Sequence, residues 1–231
     1  MTELSSLLNV TKETIRRDLE EMDEKGLLTR THGGAYLARV GTDIPVFSRE
    51  ITYLKGKELI GEKCFNLVDD GDTIFLDSST TCLKIAETIK TKHNLTVLTN
   101  SIKIELSLAN SKDIKIISTG GILRTSSLSH VGHTVEKTLS EFYADKAFVS
   151  CSGVHLVNGI TDSNDYEAEV RKTMLQHSNQ KILVADITKF GKTAFKQICN
   201  LNEINVVIID KKEELDPKFC DLFTAYNIEL I

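Results

Sequence analysis

The sequence predicts a chain of two unequal parts. A small winged helix-turn-helix spans residues 1–37, a linker spans 38–55, and an α/β domain spans 56–231. Three observations carry this expectation. Short amphipathic helical patterns, then a glycine-punctuated strand pair, open the chain. Six apolar runs later recur between helical stretches, in the manner of strands buried in a mostly parallel sheet. Finally, the first three of those runs end in clusters of hydroxyl residues or glycines, where open α/β sheets bind ligands.

At the N-terminus, Leu4, Leu7 and Leu8 share one face of a helix expected to end near Asn9–Val10. Thr11 is then a good N-cap, because its hydroxyl accepts a backbone N–H that has no partner inside the helix. The next helix carries Ile15, Leu19 and Met22 as an apolar stripe, with Arg16 and Arg17 beside it and Gly26 as its stop. Residues 27–32 read as a strand, Gly33–Gly34 as a turn and 35–37 as the returning strand. Two helices around a tight turn, then a hairpin, suggest a winged helix-turn-helix. Thr11, Lys12, Thr14, Arg16 and Arg17 supply donors for phosphates and base edges, and Arg30 and His32 would reach from the wing. The alternative is that Arg16–Arg17 is a solvated face of an ordinary helix.

Residues 38–55 hold Gly41 and Pro45 without periodicity, hence the linker, with Phe47, Arg49 and Tyr53 able to dock it. A helix is expected over 57–68, followed by strands at 73–77, 96–99 and 114–118, with helices after the first two reaching Lys90 and Ala109. Further strands are expected at 147–150, 182–185 and 206–209.

Composition narrows the function classes. The net charge of −5 argues against a protein that coats nucleic acid by general basicity. Residues 1–40 carry a net −1 and the rest −4, so DNA recognition would depend on where a few arginines point. No apolar run approaches the roughly 18–20 residues of a membrane span, so a soluble, cytoplasmic protein with no membrane partner is expected. The five cysteines form no CxxC pair, so neither a disulfide framework nor a zinc ribbon is expected. His130 and His133 share an HxxH spacing without an apparent third ligand, and no metal site is expected. Cys151, after a strand, is expected to be a buried filler. Neither GxGxxG nor GxxxxGK[ST] occurs, so no nucleotide cofactor is expected.

The strand ends supply the ligand candidates. Asp77 precedes four consecutive hydroxyls, Ser78, Ser79, Thr80 and Thr81, at a helix start. These, with free backbone N–H groups, suit a phosphate, while plain helix capping would need only one or two of them. Thr99–Asn100–Ser101 lies at the equivalent end of the next strand. Gly120 and Gly121 follow the third, with Arg124 able to clamp an anion.

The string TIRRDLEEMDEKGLLTRTHGGAYL (14–37) resembles the DNA-binding signature of DeoR-type transcriptional repressors. In that family another helix precedes the one bearing Leu4, Leu7 and Leu8, so the resemblance implies a winged helix-turn-helix lacking its first helix. Further on, DSSTT, VLTNS, STGGILR, SxSxVG (127–132), DKAFVSCSGV, GITD (159–162), EAEVRKTML and ADxTKFG (185–191) occur in series. They look like the same family's C-terminal sensor domain, whose fold is of the ribose-5-phosphate isomerase/CoA-transferase-like type. The resemblance implies a phosphorylated sugar effector that lowers DNA affinity. It makes Asp77, Ser78, Ser79, Thr80 and Thr81 the phosphate loop. Candidate sugar and anion contacts are then Asn100, Gly120, Gly121, Arg124, Ser152, Gly153, Asp162, Glu167 and Lys189. For Glu167 and Lys172 a surface ion pair fits nearly as well.

The expected function is therefore a non-enzymatic repressor of a sugar-metabolism operon. It would bind double-stranded operator DNA as a homo-oligomer and be controlled by a sugar phosphate. Alternatives are an isomerase-like enzyme using Asp162 or Glu167 as base, or an effector-binding protein whose DNA binding is impaired by the missing helix.

Overall fold

The computed structural model describes residues 2–24, 28–31, 34–36 and 45–231. Helix α1 (Thr2–Leu8) leads through Thr11 into α2 (Lys12–Glu24). Thr11 caps α2 as expected, its hydroxyl accepting the Thr14 N–H at 3.1 Å. Ile15, Leu19 and Leu28 form a small core, with Leu4 and Ala35 packed against it. Met22 was expected in that stripe but is exposed, as are Leu7 and Leu8. Among the described residues, on α2 only Ile15 and Leu19 pack against Leu28 and Ala35, and on α1 only Leu4 joins them.

The hairpin pairs β1 (Thr29–Thr31) with β2 (Gly34–Tyr36), and Thr31 stands opposite Gly34. Gly34 therefore belongs to the returning strand and not to the turn that was expected of it. His32, Gly33 and the expected helix stop at Gly26 lie outside the described residues.

The stretch read as a linker contains α3 (Val46–Ile51), and α4 (Leu54–Phe65) begins within it. Two anchors explain why α3 forms. The Val46 N–H donates to the Ser126 carbonyl at 2.8 Å, and Glu50 pairs with Lys103 at 2.6 Å. Neither partner is near in sequence, so local periodicity does not reveal the helix.

The α/β domain then runs β3 (Thr73–Leu76), α5 (Thr80–Thr88), β4 (Leu95–Thr99), α6 (Ile102–Leu108) and β5 (Ile114–Ser118). A hairpin of β6 (Ile122–Arg124) and β7 (Ser129–Val131) precedes α7 (His133–Ser140) and β8 (Ala144–Val149). Next come β9 (Gly153–His155), β10 (Gly159–Asp162), α8 (Asp165–Gln176), β11 (Ser178–Val184) and β12 (Lys196–Cys199). The chain closes with β13 (Val206–Ile208), α9 (Pro217–Ala225) and β14 (Glu229–Leu230).

Seven strands form one parallel sheet in the order β14-β13-β11-β8-β3-β4-β5, and all six expected apolar runs lie in it. Alternation along β3 sorts the core. Ile74 and Leu76 join Ile60, Cys64, Ile85 and Ile104 from α4, α5 and α6 on one face. Phe75 joins Val135, Val170, Met174 and Phe219 from α7, α8 and α9 on the other. A sheet covered on both faces buries side chains on both sides of its central strands, which explains the apolar runs. A small antiparallel sheet, β12-β10-β9, was not legible as strands, because its members are short and half polar.

The strand order places the site. From β3 the chain steps outward through β4 and β5 on one side. On the other it proceeds through β8, β11, β13 and β14. The winding thus reverses between β3 and β8, and a crevice opens beyond the carboxyl ends of these two neighbours.

Candidate functional site

Asp77 follows β3 at that crevice. Its N–H donates to the Phe148 carbonyl at 3.3 Å, and its carboxylate accepts the N–H groups of Ser79 and Ser150, each at 2.9 Å. Arg171 of α8 donates to Asp77 through Nε and to Asp162, at the end of β10, through a terminal guanidinium nitrogen at 2.7 Å. Asp162 also accepts from Ser152 Oγ at 3.3 Å. One guanidinium thus ties the central strand to the small sheet. Burial disfavours charge at Asp77, but the Arg171 guanidinium and the Ser79 and Ser150 donors outweigh it and hold the carboxyl below its usual range. Burial likewise opposes charge on Arg171, and Asp162, Asp77 and Glu167 overcome it, raising that guanidinium well above its ordinary value.

A second group adjoins the first. Glu167 lies on the first turn of α8, 4% exposed. Its Oε2 accepts from Ser78 Oγ at 2.8 Å, and its Oε1 accepts from Ser129 Oγ at 2.6 Å and from Arg124 at 3.3 Å. Ser127 Oγ is 2.7 Å from Ser129 Oγ and accepts from Arg124 at 3.0 Å. Burial pushes the Glu167 carboxyl up, yet Arg171 and the three serines prevail and keep it below the usual range. The surface-pair reading of Glu167 with Lys172 is therefore wrong. Lys172 is exposed, and the buried cation on this helix is its neighbour Arg171. Arg49 of α3 also faces the cluster. Desolvation lowers its basicity, while Glu167, Asp162 and Asp77 act in the opposite sense.

The four-hydroxyl loop divides its work. Ser79 is the N-cap of α5, accepting the Cys82 N–H at 3.0 Å, and Ser78 serves Glu167. Thr80 and Thr81 are buried on the first turn of α5. Capping alone should make Ser79→Ala cost about 1 kcal/mol. Thermal unfolding checks this, and no loss would show that the cap contributes nothing.

Asn100, after β4, is fully buried. Its Nδ2 donates to the His130 carbonyl at 2.9 Å, whereas Oδ1 has no partner among the described residues. A buried amide oxygen without a donor is costly, so a ligand hydroxyl is an apt occupant. Gly121, at φ +114°, is required by packing, since a Cβ there would meet Val135 Cγ2 at 2.7 Å and the Val131 carbonyl at 3.1 Å. Gly120, at φ +60°, faces open space. Gly153 sits where a Cβ would be 2.6 Å from the Lys192 carbonyl, a close approach of backbone to backbone. Lys189 ends a short 3-10 turn and is half-buried.

Arg171, Arg49, Ser127 and Ser129 were missed as site residues. Ser127 and Ser129 lay inside a quoted motif. Arg171 lay beside two carboxylates in EAEVRKTML, where helical phase alone could have pointed it inward. Cys151 is buried as expected, and burial pushes its thiol up, the opposite of a reactive cysteine.

At the other end of the chain, Lys12, Arg16 and Arg17 are exposed on α2 and Thr14 is half-buried. Arg16 lies 3.9 Å from both Glu13 and Glu20, loose exposed pairs that DNA phosphates can replace at little cost. The basic residues cluster in the first half of α2, while Asp18, Glu20, Glu21, Asp23 and Glu24 follow. Only its N-terminal end, where the helix dipole is also positive, suits a phosphate-lined groove. Arg30 lies in β1, and His32 is outside the described residues.

No helix among the described residues is long and apolar enough to cross a membrane. Comparisons with known proteins cover both parts of the chain. Residues 1–39 match the DeoR-like helix-turn-helix domain, and residues 53–211 match the DeoR C terminal sensor domain. An uncharacterized HTH-type transcriptional regulator, YulB of Bacillus subtilis (strain 168), is 41% identical over 94% of this chain and 83% of its own length. The HTH-type transcriptional repressor GlcR of the same organism is 34% identical, over 99% of this chain and 88% of its own. A lactose phosphotransferase system repressor of Staphylococcus epidermidis is 34% identical, over 90% and 86%. Among solved structures, ribose 5-phosphate isomerase A of Methanocaldococcus jannaschii aligns over 58% of this chain and 53% of its own, with 14% identity and a TM-score of 0.43. With both domain types in order along one chain, the protein belongs to the DeoR family of helix-turn-helix transcriptional regulators.

Proposed function

We propose that the protein is a repressor of a sugar-metabolism operon, released from its operator by a phosphorylated sugar bound at the β3/β8 crevice and acting as a homo-oligomer. One observation carries the effector reading. Two serine hydroxyls and Arg124 already converge on a carboxylate at the strand ends, an arrangement of donors suited to an anion. The unpartnered Asn100 oxygen nearby supplies an acceptor for a sugar hydroxyl. Residues 1–37 would act as the DNA-binding unit and 56–231 as the sensor. Thr80, Thr81, Ser152, Asp162 and Lys189 complete the proposed effector contacts.

The isomerase alternative is disfavoured by the same geometry. A carboxylate that accepts three donors and lies below its usual range is a weak base for proton abstraction. Ribose 5-phosphate and glucosamine 6-phosphate should not be turned over even at high protein concentration, and isomerisation abolished by Glu167→Gln would reverse this judgement.

The test is a panel of phosphorylated sugars in thermal unfolding, where a ligand of the folded state raises the midpoint by an amount that grows with the logarithm of its concentration over its Kd. The active compound should also release operator DNA in an anisotropy titration. A panel in which no compound shifts the midpoint or releases DNA would remove the effector reading. Because Ser79 is a cap, the loop is best probed by Thr80→Val with Thr81→Val, which should weaken effector binding at least tenfold in calorimetry.

A further inference from the structure

The anion held at the crevice belongs to the protein itself. Resting on the effector reading above, we propose that the Glu167 carboxylate is a built-in competitor for the effector's phosphate. It fills the cradle of Ser78, Ser129 and Arg124 and must leave when a phosphate enters.

Three features carry this. The cradle's donors are already committed, with Ser78 on one carboxylate oxygen and Ser129 and Arg124 on the other. A phosphate needing those donors cannot share them with Glu167. Charge balance makes the same demand. Three carboxylates, Asp77, Asp162 and Glu167, face three guanidiniums, Arg49, Arg124 and Arg171, so a dianion entering beside an unmoved Glu167 would bring more negative charge than Lys189 alone can offset. Lastly, Glu167 is anchored through its backbone, its N–H donating to the Asn164 N-cap at 3.1 Å. The side chain can therefore swing out while the helix start stays capped.

The competition has a regulatory consequence. Effector affinity is reduced by the free energy that holds Glu167 in place, which sets the concentration at which the site responds. Glu167 and Arg171 share α8, so displacement acts on the helix whose guanidinium also joins Asp77 to Asp162.

The experiment uses the full chain and inorganic phosphate, and needs neither sugar nor DNA, so its outcome is separable from that of the effector panel. Glu167→Gln keeps the shape and removes the charge. Calorimetry is expected to show phosphate bound at least tenfold more tightly than by the wild type, and equal or weaker binding overturns the proposal. Adding Ser129→Ala to Glu167→Gln should abolish the gain; a gain that persists puts the phosphate elsewhere and overturns it too. Should Glu167→Gln not fold, Glu167→Asp, which withdraws the carboxylate by one methylene, is expected to gain about threefold, and no gain counts against the proposal in the same way.

Discussion

Arg171→Met is expected to destabilise the α/β domain by about 3–5 kcal/mol, the cost of removing one partner from a buried ion-pair network. Methionine preserves much of the volume, so the loss would report charge instead of a cavity. Asp77 and Asp162 would remain, 1% and 5% exposed, without the cation that both engage. Urea unfolding at pH 7 measures the effect, and a loss under about 1 kcal/mol would show that the network contributes little.

The pH dependence has a definite sign. In the wild type, Asp77 and Glu167 lie below their ordinary values of 3.8 and 4.5. Their contribution is complete above those values and is lost as pH falls through the depressed range beneath them. In Arg171→Met the guanidinium that lowers Asp77 is gone while its burial remains, so its carboxyl should rise and take up a proton on folding. Variant stability should then fall as pH increases, and the gap from wild type should widen between pH 4 and pH 7. A gap independent of pH would mean that packing, not charge, was lost.

Arg16→Ala and Arg17→Ala should each weaken operator binding by about 1–3 kcal/mol where a base edge is read, and more uniformly across sequences where only a phosphate is touched. Each lost phosphate contact should also reduce the salt slope by about one unit. Arg17 should show the cleaner loss, since no ion pair engages it among the described residues, whereas Arg16 exchanges Glu13 and Glu20 for DNA. Both side chains are exposed, so unfolding should hardly change. Unchanged affinity in a salt titration of the double variant would remove α2 as the recognition helix.

Much of the fold was legible because its signals are local. The runs at β3, β4, β5, β8, β11 and β13 are apolar because both sheet faces are covered, and the Thr11 cap needs only its own helix. Helix α3 was not legible, since Ser126 and Lys103 hold it from far along the chain. The site was half legible. Asp77, Ser78 and Asn100 stand at strand ends that a rule identifies. Arg171 looked like any charged residue on a helix, and Glu167 fitted a surface pair.

By itself, then, the sequence determined the α/β class, the strands of the parallel sheet, the order of the two parts and the family. Each follows from periodicity or from contiguous motifs. Only the tertiary structure decided what the polar residues do. The winding reversal between β3 and β8 brings side chains up to 94 positions apart in the sequence into one buried network. Burial then gives their charges and hydrogen bonds a strength that no spacing along the chain can announce.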